Sequence, residues 1–133
     1  MIGNVIQFAP TASAFRLRET VAGNGKRVIT NWLASYPGAR ARFRIRVIGL
    51  RRISKPWPIK QFRSLGDGLA EIKWEWEKKQ WRAIGFDHNG YFVMVIGCTH
   101  KQNIYVPADC LKTARQRKSE VERGMWGIAD YEP

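Results

Sequence analysis

The segment from Leu69 to Gly97 constrains the fold more than any other part of the chain. "LAEIKWEW" (Leu69 to Trp76) alternates apolar and polar side chains with a period of two, the pattern of a strand whose two faces differ. Leu69, Glu71, Lys73, Glu75 and Glu77 share one parity, and Ala70, Ile72, Trp74 and Trp76 share the other. "KKQ" reads as a turn region and "WRAIGF" (Trp81 to Phe86) as a second strand. "DHNG" then supplies the Asn89–Gly90 pair that favours a tight hairpin. The continuous apolar run "YFVMVIG" suits a central strand covered on both faces. Three strands joined by short turns specify an antiparallel meander. Its parity places Trp74 and Trp76 beneath the sheet against helices and turns Lys73 to the face expected for Arg82.

The flanks are less uniform. "AFRLRET" (Ala14 to Thr20) alternates like a strand, and "AGNGK" (Ala22 to Lys26) is a turn. In "RVITNWLASY" the spacing of Val28, Trp32 and Tyr36 predicts one stripe of a short helix, interrupted by Pro37. "ARARFRIRV" (Ala39 to Val47) fits two structures equally. Its alternation suits a strand with arginines on one face, whereas Pro37 suits a helix start with Ala39, Phe43, Val47 and Leu50 on one stripe. "SKPWPIK" is a proline-bounded loop and "SLGDG" a turn. "PADCLKTARQRKSEVERG" predicts a helix from Pro107 that stops at Gly124. These boundaries divide the chain into an uncharged extension over 1–13, a domain over 14–124 and a tail over 125–133 that either folds back or stays loose.

Charge narrows the function classes. Among 133 residues, 23 are Lys or Arg and 11 are Asp or Glu, a formal net charge of +12. Self-repulsion of this size implies an oppositely charged partner: nucleic acid, an anionic membrane or an acidic protein. No apolar run approaches a bilayer span and no basic-then-apolar leader is present, so a cytoplasmic location is expected. Cys98 and Cys110 lack metal-ligand spacing and are expected as reduced, packed thiols. With only His88 and His100, neither zinc chemistry nor a Ser-His-Asp triad is supported. Acid, base and charge-stabilising groups must then come mainly from Lys, Arg, Glu and Tyr.

Taken in order, "SLGDGLAEIKW", "WRAIGF", "VMVIGCTHK" and "VPADCLKTARQRK" resemble the toxins of the RelE/HigB superfamily, in particular its phage-derived branch. "GNGKRVITNWLASYPGARARFRI" is similar to that family's N-terminal pair of helices, and this tips Ala39 to Val47 towards helix. The resemblance spans roughly Phe15 to Arg123. It implies an α+β fold, a twisted antiparallel sheet with two N-terminal helices packed on it and a C-terminal helix. It also implies a ribosome-dependent endoribonuclease that cuts mRNA without a metal or other cofactor, uses the RNA 2′-hydroxyl as nucleophile, and is held inactive by a cognate antitoxin, expected to carry a helix-turn-helix.

Carried across residue by residue, the resemblance makes Arg82 the cation that stabilises the transition state. Lys73 becomes a phosphate contact or base, Lys101 a clamp on the RNA, and His100 an acid or base near neutral pH. Arg82 paired to Glu71 or Glu75 is the structural alternative. Arg40, Arg44, Arg51, Lys78, Lys79 and Tyr105 are the expected RNA-binding side chains. Two positions depart from the family: the last-helix site of a catalytic tyrosine falls near Leu111, leaving Tyr105 ahead of the helix, and Val106 replaces the threonine before the proline. Two alternatives stand beside the nuclease: a non-catalytic prophage protein that binds RNA or ribosomes, and a gyrase-inhibiting toxin of the same superfamily.

Overall fold

The computed structural model describes residues 16–53 and 57–133, in which the chain folds as a mixed α+β domain with a seven-stranded sheet and three helices. In chain order these are β1 (Leu17–Val21), α1 (Val28–Leu33), α2 (Pro37–Arg51), β2 (Phe62–Gly66), β3 (Leu69–Trp76), β4 (Lys79–His88), β5 (Tyr91–Lys101), β6 (Ile104–Val106), α3 (Cys110–Glu122) and β7 (Gly127–Asp130). The extension over 1–13, the first two residues of the strand expected at 14–20 and the first three of the loop expected at 54–60 lie outside the described residues.

The strands run in the order β2-β3-β4-β5-β1-β7, with β6 paired to the far end of β5. The expected meander is present, and two further hairpins extend it. One joins β2 to β3 through Asp67 and Gly68, both at positive φ (54° and 78°); the other joins β5 to β6 through Gln102 and Asn103 (50° and 65°). β5 is central as its apolar run predicts, with Phe92 to Val95 buried between β4 and β1.

The helices neither open nor close the fold, as the resemblance implies they should. β1 precedes α1, and β7 follows α3 and pairs antiparallel with β1. The tail is therefore part of the sheet. Tyr131 is buried and stacks on Phe43 with ring centroids 5.6 Å apart, so apolar burial draws this segment in.

The ambiguous arginine-rich segment is helical. Ala39, Phe43, Val47 and Leu50 are all fully buried along α2, a stripe that only the 3.6-residue period aligns, and Pro37 sits in the first turn where its missing N–H costs nothing. α1 corrects the expected stripe. Ile29 and Leu33 are its buried residues, Val28 and Trp32 pack at the margin, and Tyr36 lies beyond the helix at the N-cap of α2.

α1 and α2 cover one face of the sheet, around Ile72, Trp74, Trp81, Phe92 and Met94. Trp74 packs there as its parity predicts, with its indole N–H donating to the Ala39 carbonyl at 3.0 Å. α3 covers only part of the other face, through Cys110, Ala114 and Val121 against Leu69, Ile84, Phe86, Val93 and Cys98. Beyond Ile84 on that face the cluster reaches Cys98, with Tyr105 packed at its margin. Among the described residues no helix is long and apolar enough to cross a membrane.

Candidate functional site

Residues directly opposed in neighbouring strands share a face, so register alone assembles the rows beyond Ile84. Lys73 of β3 opposes Arg82 of β4, which opposes Cys98 of β5; Glu75 opposes Gln80, which opposes His100, which opposes Tyr105 of β6. On the other side of β3, Arg63 of β2 opposes Glu71. One surface thus carries Arg63, Lys73, Arg82, His100 and Tyr105 around a carboxylate that is completely buried, Glu71.

Glu71 organises this cluster. Its Oε2 accepts from Arg63 Nε at 3.0 Å, with Arg63 Nη2 at 2.8 Å, and its Oε1 accepts from the Tyr105 hydroxyl at 2.7 Å. With those oxygens occupied, Arg82 gains only a long ion pair, Nε to Oε1 at 3.5 Å. Arg82 is 5% exposed; its Nη1 donates to the Trp81 carbonyl at 2.9 Å, while Nε is buried without a hydrogen bond. The guanidinium is therefore fixed in position, with Nε turned to Glu71 and the side chain lining a neighbouring cavity.

Burial, together with the neighbouring charges, shifts the titrating groups. Burial, and then Arg82 and Arg63, pull the Lys73 ammonium below its ordinary value. Burial and Arg82 likewise hold His100 below the usual histidine value, favouring neutral imidazole near pH 7. Burial and the bond to Glu71 push the Tyr105 phenol up, so it stays protonated. Cys98 and Cys110 are free and buried; hydrogen bonding to Cys110 and burial push the Cys98 thiol far up, which removes it as a nucleophile.

A cavity of about 320 Å³ opens beside the cluster, lined by Arg46, Lys60, Lys73, Trp74, Glu75, Gln80 and Arg82. Four cationic side chains converge on it, and the Glu75 carboxylate, which accepts from the Gln80 amide, is its only acidic one. Among the described residues no group of three His, Cys, Asp or Glu side chains is placed to hold a metal ion.

Of the sequence-predicted residues, Lys73, Arg82, His100 and Tyr105 come together. Lys101 does not join them: it opposes Ile104, on the parity opposite to His100 and Tyr105, and is exposed. Lys78 occupies the β3–β4 turn at positive φ, and Lys79 faces the helix side with Nζ 5.7 Å from the Trp81 ring. Arg40, Arg44 and Arg51 lie at the chain's far end. Arg44 Nε donates to the Pro133 carbonyl at 3.3 Å, Arg51 pairs with Glu132 at 3.6 Å, and Arg40 lies beside Tyr131. The α2 side chain that reaches the site is Arg46, whose Nε donates to the Lys73 carbonyl at 2.8 Å. Sequence reasoning misses Arg63, because Ser64 to Gly68 reads as a turn and "QFRSLG" has no regular alternation: Phe62 and Leu65 fall on opposite faces of β2. No family model, curated protein or solved structure matches this chain.

Proposed function

We propose that this chain is a toxin of the RelE/HigB kind that cleaves mRNA without a metal ion, at the cluster around Lys73, Arg82 and His100. The observation that carries the reading is the direct opposition of Lys73 and Arg82 across β3 and β4, with His100 on the same face and a cation-lined cavity beside them. The β2–β5 meander between α1–α2 and α3 supports a RelE-like arrangement, to which β7 is an addition.

Neutral His100 takes the proton of the RNA 2′-hydroxyl. The 2′-oxygen forms its bond to phosphorus as the bond from phosphorus to the 5′-oxygen breaks, leaving a 2′,3′-cyclic phosphate. Lys73, acidified by its surroundings, gives the departing 5′-oxygen its proton, and Arg82 offsets the charge that grows on the phosphoryl oxygens. Such a protein acts in the cytoplasm on ribosome-bound message and is restrained by a co-expressed antitoxin, expected to carry a helix-turn-helix. The test is a translating extract containing a chelator, with the message ends mapped: new 2′,3′-cyclic phosphate ends are expected with the natural protein and none with Arg82→Ala. Intact message in the presence of folded protein refutes the nuclease.

The burial of Arg82 and its ion pair to Glu71 favour a second reading, in which the same surface binds RNA and does not cut it. Ribosome or RNA binding by a protein that leaves every message intact separates the two.

A further inference from the structure

β3 outruns its neighbour. Pairing with β2 ends at Ile72, opposite Phe62, after which Lys73 N–H still reaches the Gln61 carbonyl at 2.9 Å. Trp74, Glu75 and Trp76 then form an edge that pairs, among the described residues, with β4 alone. Across this edge the 320 Å³ cavity of the candidate site meets a second one of about 240 Å³, lined by Arg42, Arg46, Trp74 and Glu75. The two cavities share Arg46, Trp74 and Glu75. Lys60, Lys73 and Arg82 lie on one side of the shared wall and Arg42 on the other.

We propose that single-stranded RNA held at the site turns around the open edge of β3 and continues onto α2, with successive phosphates at Lys73/Arg82 and at Arg46/Arg42. This track rests on the RNA-directed reading of the site. Arg46 is the hinge of the path: its Nε is committed to the Lys73 carbonyl, which holds the guanidinium at the junction with its other donors available. Arg42 is exposed and has no carboxylate partner among the described residues, unlike Arg51, which pairs with Glu132 at the far end of the helix. A duplex is too wide and too stiff to turn so sharply, whereas a single strand bends at each phosphodiester. Glu75 sits between the two phosphate positions and repels a phosphate. The group beside it is therefore a ribose hydroxyl or a base N–H, for which a carboxylate is an acceptor.

The test compares the binding of two labelled RNAs, each made uncleavable by 2′-fluoro substitution at every ribose: a dinucleotide, and a single strand of about ten nucleotides, within the span that single-strand-binding domains cover. Arg42→Glu is expected to weaken the longer RNA about tenfold and to flatten its salt dependence by roughly one phosphate contact, leaving the dinucleotide unchanged. Arg44→Glu, on the same helix but turned to the chain end, is expected to alter neither. An Arg42→Glu protein that binds the longer RNA as the natural chain does, or loses both RNAs equally, overturns the track, as does a natural chain that binds neither. Length-dependent binding without any cleavage of ordinary RNA leaves the track standing and removes only the catalytic step.

Discussion

The Tyr105 hydroxyl donates to Oε1 of Glu71 at 2.7 Å, so the short edge strand β6 is tied to a carboxylate in the middle of the sheet. The same carboxylate neutralises Arg63 and offsets Arg82, which is itself buried. Removing it leaves an uncompensated cation in a desolvated place, a loss of about 3–5 kcal/mol. Removing the phenol oxygen forfeits one hydrogen bond to a charged group, about 1.5–3 kcal/mol. Urea unfolding is therefore expected to rank Glu71→Ala below Tyr105→Phe, and both below the natural protein. Equal losses would mean that Arg82 does not depend on Glu71.

A second buried carboxylate holds the opposite layer. Oε1 of Glu19 accepts from the backbone N–H groups of Ile29 (2.9 Å) and Thr30 (2.8 Å), and Oε2 from Thr30 Oγ1 (2.6 Å) and Arg27 Nε (3.1 Å). A strand side chain thus caps the start of α1, where Arg27 at the N-cap makes no side-chain cap of its own. Glu19→Gln keeps an oxygen for the two backbone groups and loses the ion pair, so a cost of about 1–2 kcal/mol is expected; Glu19→Ala strands all four donors and costs about 3–5 kcal/mol. Chemical denaturation that finds the two variants equally stable would remove the capping role.

These two glutamates mark where the sequence stops being legible. Period-two alternation located β3 and placed Trp74, and the Asn-Gly pair located the turn at Asn89–Gly90, because each depends on residues close in the chain. The same alternation assigns Glu19 and Glu71 to a polar face, and polar parity alone reads as solvent. Their burial is set by partners distant in sequence: Tyr105 lies 34 positions from Glu71, and Arg27 is brought to Glu19 by a turn. The α2 arginines show the same limit. Helical spacing identifies the stripe that is buried, yet which exposed arginines meet the site depends on where β3 ends and where the C-terminal strand returns. Arg42 and Arg46 therefore line cavities while Arg44 and Arg51 meet Pro133 and Glu132.

Close approach to backbone makes Gly85 a fixed point of the β4–β5 pairing. A Cβ there would lie 2.8 Å from the carbonyl carbon of Val93, at the place where the register between the two strands shifts. A Cβ on Gly97 instead meets the ring of Trp32, a half-buried side chain of the short helix α1 rather than backbone. Overpacking costs about 1–3 kcal/mol. Gly85→Ala is expected near the top of that range and Gly97→Ala lower, with Trp32→Phe relieving the second variant and not the first. Thermal unfolding of the four proteins checks this, and relief of Gly85→Ala by Trp32→Phe would contradict it.

His100 gives the site a pH dependence with a definite sign. Burial and Arg82, followed by Arg63 and Lys73, disfavour its protonated form, with Glu71 opposing them. Its folded-state value is therefore below the unfolded value of about 6.5, so at acidic pH the unfolded chain binds the extra proton more readily than the folded one. Stability from this residue is fully present above about pH 6.5 and declines as pH falls through that value towards the lower folded one. Replacing His100 with Asn is expected to flatten the midpoint of urea unfolding between about pH 5 and 7 while leaving it little changed at pH 8. The acid limb of any RNA cleavage should follow the same folded-state group, because only neutral imidazole accepts the 2′-hydroxyl proton; it is expected below pH 6.5 and absent in His100→Asn. An acid limb that survives the substitution would assign the base to another residue.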